Sequence, residues 1–144
     1  MTSTAYIDTG LLVKRYVPEI GSDELDQFLC DTQPHLLVSE LSRLELASTL
    51  ARKRREGQFT QRQLDVMQHQ ADEDLLSGSI EVALLQGQVI SRALSLMRSL
   101  KQPVATLDAI HLATALLQSV SLFMTNDQQL ARAATEAGLT VWPA

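Results

Sequence analysis

The chain has 144 residues, 45% of them hydrophobic, and a net charge of −5. That length suits one domain with a single sizeable core, expected to span residues 1–144. No apolar run approaches the ~20 residues of a membrane span, and no secretory leader pattern opens the chain, so a cytoplasmic protein away from the membrane is expected.

Cys30 stands alone, which rules out an internal disulfide and fits a reducing compartment. The acidic balance argues against a surface that attracts nucleic acid as a whole. It leaves room for a local basic strip, and Arg52-Lys53-Arg54-Arg55 is the densest. Such a run is also the ordinary solvated end of a helix.

Taken in chain order, short β-like runs alternate with longer helical ones. Residues 4–8 read as a buried strand, and 11–16 as a helix stopped by Pro18. Ser22 is placed to cap a helix through Leu25, Phe28 and Leu29, and 35–39 is a second strand. The spacing over 41–56 is helical, with Gly57 as terminator. Thr60 to Gln63 has the capping-box pattern, and Leu64, Met67, Ala71 and Leu75 share one face of the following helix. Residues 80–85 predict a third strand. An amphipathic helix over 89–100 follows, ended by Pro103. Thr106 is placed to cap a helix over 107–118; 121–125 is a strand, 127–137 a helix closed by Gly138, and 139–142 a last strand.

Strands separated by helices imply parallel pairing with helices on both faces, an α/β fold. Ligands in such sheets bind at the carboxyl ends of the strands, where the strand order reverses. Asp8 and Asp127 fall at that rim. Each also suits a helix N-cap, and Asp108 suits the first turn of its helix, so every one of these aspartates has a capping explanation. Glu45 projects beside Leu41, Leu44 and Ser48, bordering the apolar face, where an ionised carboxylate needs a partner. A divalent cation shared with Asp8 and Asp108 is one. Oxygen donors without a cysteine or histidine cluster point to Mg²⁺ or Mn²⁺ rather than zinc. Thr125 and Asn126 have the chemistry to orient a carboxylate or a bound water. His111, one turn after Asp108, reads as a structural histidine or a proton shuttle, the first being the commoner case.

At these residues the chain resembles the PIN-domain ribonucleases, and among them the VapC-type toxins of bacterial toxin–antitoxin pairs. The likeness runs in order through Tyr6-Ile7-Asp8-Thr9-Gly10-Leu11-Leu12-Val13-Lys14, Val38-Ser39-Glu40-Leu41 leading to Leu44-Glu45-Leu46-Ala47, Leu107-Asp108-Ala109-Ile110-His111-Leu112-Ala113-Thr114-Ala115, and Thr125-Asn126-Asp127. It implies a three-layer α/β/α sandwich around a mainly parallel sheet of about five strands. It assigns the metal-site and catalytic acids to Asp8, Glu45, Asp108 and Asp127. Gly10 departs from the family, which often carries serine there, and Glu40 competes with Glu45, which the following Leu-Ala-Ser-Thr-Leu favours.

The resemblance implies an Mg²⁺-dependent endoribonuclease, with Mn²⁺ as a substitute. Asp8 and Asp108 are expected to bind the principal ion, with Glu45 and Asp127 completing the site. Attack by activated water would leave 5′-phosphate and 3′-hydroxyl ends. Lys14, Arg15 and the 52–55 strip are the candidate RNA phosphate contacts. An antitoxin carrying an arginine into the acidic pocket is expected, as is a homodimer formed around residues 64–75. The alternative is a PIN-like scaffold that binds RNA or protein without cutting. A receiver-type signalling domain fits poorly, because no Asp follows residues 80–85. A haloacid-dehalogenase-like phosphatase fits poorly too, because Gly10 stands where its second Asp belongs.

Overall fold

A computed structural model describes residues 3–144. Five strands, β1 (Thr4–Ile7), β2 (His35–Ser39), β3 (Ile80–Ala83), β4 (Leu122–Met124) and β5 (Val141–Trp142), form one sheet in the order β3-β2-β1-β4-β5. Every pairing is parallel; Tyr6 lies opposite Leu37 on one side and Phe123 on the other. Seven α-helices connect them: α1 (Thr9–Leu12), α2 (Ser22–Thr32), α3 (Glu40–Arg55), α4 (Gln61–Ser77), α5 (Gly87–Ser99), α6 (Thr106–Leu117) and α7 (Gln128–Glu136), with a 3₁₀ turn at Val13–Arg15.

Side-chain alternation along each strand divides the core in two. Ala5, Ile7, Leu36, Val38 and Met124 point to one face, where α1 to α4 cover them with residues such as Leu12, Leu25, Leu50 and Leu64. Tyr6, Leu37 and Phe123 point to the other, under α5, α6 and α7. The rings of Tyr6 and Phe123 stack with centroids 5.4 Å apart. This is the expected three-layer α/β/α arrangement around a parallel sheet.

Local differences from the sequence reading have local causes. Ser22 is the first residue of α2 rather than its cap. Gly21 takes the cap position at φ 96°, and the Ser22 hydroxyl instead accepts from Glu19 N and donates to Val17 O. Thr106 likewise lies inside α6, whose cap is Ala105. Leu44 is not part of the buried stripe of α3: it is 74% exposed, and the inward face is Ser42, Leu46 and Leu50. The capping box of Thr60 and Gln63 forms as the sequence predicts.

The face of α4 expected to meet a second copy is used within the chain. Leu64 and Ala71 are buried, and Met67 and Leu75 pack on the core. Unpartnered apolar side chains lie instead on α5, where Ile90, Leu94 and Met97 are about half exposed at helical spacing. No helix among the described residues is long and apolar enough to cross a membrane.

Candidate acidic site at the strand ends

The order of strands reverses between β1 and β4, because the chain moves outward through β2 and β3 before returning on the far side of β1. Parallel sheets open a crevice at such a point. A pocket of about 270 Å³ lies there, lined by Asp8, Thr9, Gly10, Leu11, Glu45, Asp108, His111, Asn126 and Asp127. Four acids from four separate segments therefore line one cavity. No lysine or arginine is among its lining residues.

Asp8 is the most firmly held. It follows β1 and caps α1, with Oδ1 accepting from Gly10 N at 2.6 Å and Leu11 N at 3.4 Å. Its Oδ2 accepts from the Thr125 hydroxyl. A Cβ added to Gly10 would stand 3.3 Å from Asp8 Oδ1, tighter than ordinary contact, so glycine suits this close approach of backbone to carboxylate. Burial pushes the Asp8 carboxyl above the usual range, against the lowering effect of the Thr125 bond.

Asp127 performs the same double duty after β4. Its Oδ1 caps α7 by accepting from Gln129 N at 2.9 Å and Leu130 N at 3.1 Å, and its own N–H donates to the Thr125 hydroxyl at 3.0 Å. The capping explanation and the pocket-lining one thus hold together for both residues. The side chain of Asp108, in the first turn of α6, makes no hydrogen bond to protein among the described residues. Burial raises its pKa, and the neighbouring charges of Asp127 and Asp8 raise it further.

Glu45 has a partner the sequence reading did not give it. His111 Nε2 lies 2.6 Å from Glu45 Oε1, and the Thr9 hydroxyl donates to the same oxygen at 2.8 Å. Burial acts to raise the Glu45 pKa, but the His111 and Thr9 bonds outweigh it and hold the carboxyl below its ordinary value. On its other side His111 Nδ1 stands 2.5 Å from the hydroxyl of Tyr6, which also accepts from Ser39 N at 3.2 Å. Burial raises the Tyr6 pKa far above its ordinary range, so the phenol keeps its proton. Because the ionised Glu45 carboxylate can only accept, a proton on Nε2 faces it, while the phenol closes the contact at Nδ1 with the Ser42 hydroxyl also beside it. His111, only 2% exposed, is the site residue that the sequence reading set aside as structural. The signal was its place on α6 one turn from Asp108, but its partner lies 66 positions away on α3.

The Thr125 hydroxyl donates to Asp8. Asn126 lines the pocket, and its amide makes no hydrogen bond to the four carboxylates among the described residues. The expected basic contacts are largely engaged within the chain. Lys14 and Lys53 both pair with Glu19, at 3.4 and 3.3 Å, Arg15 pairs with Asp74 at 3.7 Å, and Arg52 pairs with Glu56 at 3.2 Å. Arg54 and Arg55 are exposed at the far end of α3 and are in none of these pairs.

The donor set has the chemistry of a hard divalent cation site: oxygen atoms only, negatively charged, mutually repelling and without a basic neighbour. Both bonds to Glu45 use Oε1 and both bonds to the Asp127 carboxylate use Oδ1, so among the described residues no protein donor reaches Glu45 Oε2 or Asp127 Oδ2. Among the described residues no three His, Cys, Asp or Glu side chains are close enough to hold one ion together in this arrangement.

Comparison with known proteins agrees with this architecture. A toxin–antitoxin complex from Klebsiella pneumoniae is similar at 21% identity, over 86% of this chain and 87% of that one, with a TM-score of 0.60. FitAcB from Neisseria gonorrhoeae is 16% identical over 95% of both chains, with a TM-score of 0.68. VapC20 from Mycobacterium tuberculosis, a sarcin–ricin loop cleaving toxin, is 16% identical over 94% of this chain and 96% of its own, with a TM-score of 0.71. At these identities the likeness speaks to the fold. No curated protein matches the chain. The model of the PIN domain matches residues 5–136, nearly the whole length, and the chain belongs to the PIN domain family.

Proposed function

We propose that this protein is an Mg²⁺-dependent endoribonuclease, with Mn²⁺ able to substitute, acting as the toxin of a toxin–antitoxin pair. The observation that carries this reading is the convergence of Asp8, Glu45, Asp108 and Asp127 on one pocket lined by no basic side chain. In the reading, 1–144 is one nuclease domain working in the cytoplasm, with RNA as substrate.

Asp8 and Asp108 would hold the ion directly, and Glu45 and Asp127 would complete its shell through coordinated water, which Mg²⁺ commonly keeps. When bound, a divalent cation lowers the pKa of a coordinated water and neutralises charge at the scissile phosphate. The chain's own residues set the rest. Thr125 and two backbone N–H groups fix the Asp8 carboxylate in one orientation. Glu45, kept ionised by His111 and Thr9 through Oε1, turns its other oxygen, Oε2, toward the ion. Water as nucleophile needs no 2′-hydroxyl, so the products end in 5′-phosphate and 3′-hydroxyl.

Arg54 and Arg55, unlike the other expected contacts, are free to meet RNA phosphates. Four carboxylates without a counter-charge also attract a guanidinium, which is how an antitoxin arginine would close the site. The solved relatives that are toxin–antitoxin complexes support such a partner. The half-exposed stripe Ile90, Leu94 and Met97 on α5 supports a homodimer through that helix.

The second reading, a non-catalytic PIN-like scaffold, is favoured by the capping roles of Asp8 and Asp127, which account for two acids without any ion. One experiment separates the two: purified, partner-free protein incubated with a mixed RNA pool in Mg²⁺ or in EDTA, with end mapping of the products. Cleavage in Mg²⁺ alone, lost in a folded Asp8→Asn variant, is expected. RNA binding without cleavage would establish the scaffold, and cyclic 2′,3′-phosphate ends would overturn the water mechanism.

A further inference from the structure

Glu45 is held from a part of the core that never reaches the pocket. Tyr6, fully buried on the side of the sheet under α6, reaches His111 with its hydroxyl, and His111 in turn reaches Glu45 on α3. The chain of contacts thus runs from β1 through α6 to α3, three separate elements, and ends on a single carboxylate oxygen. A histidine serving only to fill the core needs no such end point.

We propose that Tyr6 and His111 are positioning residues that fix the Glu45 carboxylate so that Oε2 stays available to a divalent cation. This rests on the metal-dependent reading given above. The phenol anchors the imidazole at Nδ1, so the ring cannot turn without breaking a buried bond. The Nε2 proton then occupies Oε1, with Thr9 as a second donor to the same atom. One oxygen is consumed by the protein and the other is left for the ligand. Hydrogen-bonded partners of this kind commonly govern metal affinity by about 10- to 100-fold.

Two substitutions of similar polarity separate positioning from packing. His111→Gln places an amide near Nε2 and keeps a donor for Glu45; His111→Asn places it near Nδ1, keeping Tyr6 and abandoning Glu45. Mn²⁺ binding to the partner-free protein is measured by calorimetry, with thermal melting as a check on folding. The expected result is an affinity loss of about tenfold for His111→Asn and near wild-type binding for His111→Gln. In a Glu45→Gln background, His111→Asn should bring no further loss.

Tyr6→Phe, which keeps the ring stacked on Phe123, provides the second test and should weaken Mn²⁺ binding by about threefold, a smaller effect than loss of the direct donor. Wild-type affinity in folded Tyr6→Phe protein, or equal losses in both His111 variants, would overturn the positioning role alone. Wild-type protein that fails to bind Mn²⁺ at all would overturn the metal-dependent reading as well.

Discussion

Thr125→Val tests how much of the fold's stability is spent on orienting Asp8. The substitution preserves shape and removes the hydroxyl of a residue that is 2% exposed. That hydroxyl donates to the Asp8 carboxylate and accepts from Asp127 N–H at 3.0 Å. A bond to a charged group contributes roughly 1.5–3 kcal/mol and a neutral one about 1. The extra methyl returns somewhat under ~1 kcal/mol through burial. The net cost is then about 2–3 kcal/mol. For 144 residues the unfolding entropy near the midpoint is roughly 0.3 kcal/mol/K, so the melting temperature should fall by about 7–10 °C. Calorimetry and urea titration read both quantities, and Thr125→Ser, which keeps the hydroxyl, should recover most of the loss. In an Asp8→Asn background the cost should shrink, because a neutral acceptor replaces the charged one. A loss below about 0.5 kcal/mol in the wild-type background would refute the claim that this bond holds a buried carboxylate.

Asp108→Asn should stabilise the protein at neutral pH while lowering RNA cleavage on the order of 1,000-fold or more. Because its folded pKa is raised, Asp108 favours folding below the ordinary aspartate value and loses that contribution as pH rises through the raised one. The variant's advantage in denaturant titrations should therefore grow with pH over that window and vanish in acid; an advantage independent of pH would contradict the assigned cause. Arg54→Ala combined with Arg55→Ala should weaken RNA binding evenly across sequences. It should also reduce the slope of log affinity against log salt by about 1.4, near 0.7 per phosphate contact. An unchanged slope would remove these residues from the RNA path.

How much could be read in advance differed from residue to residue. Asp8 and Asp127 were legible because an acid within a few residues of the end of an apolar strand falls at the carboxyl edge of a parallel sheet whatever the strand order. The layered fold followed from alternating periods for the same reason. Glu45 was legible as an awkwardly placed carboxylate, but its partner was not: α3 and α6 meet only in three dimensions, and no spacing rule joins residues 66 positions apart. Leu44 was misplaced because a helical period gives the width of an apolar face more reliably than its edge. Here the core takes the Ser42, Leu46 and Leu50 side. The basic strip looked uniform in sequence, yet Glu19 gathers the nearby Lys14 and the distant Lys53, a sorting that depends on where α2 and α3 begin and end.

Helix α3 carries an acidic residue near its start and unpaired arginines at its finish. From Glu45 to Arg54 a straight helix rises about 14 Å, a fixed ruler between the cavity and the basic tip. Nine residues at 3.6 per turn also carry Arg54 half a turn round from Glu45, so a strand engaging both marks must wrap around the end of the helix rather than run straight along it.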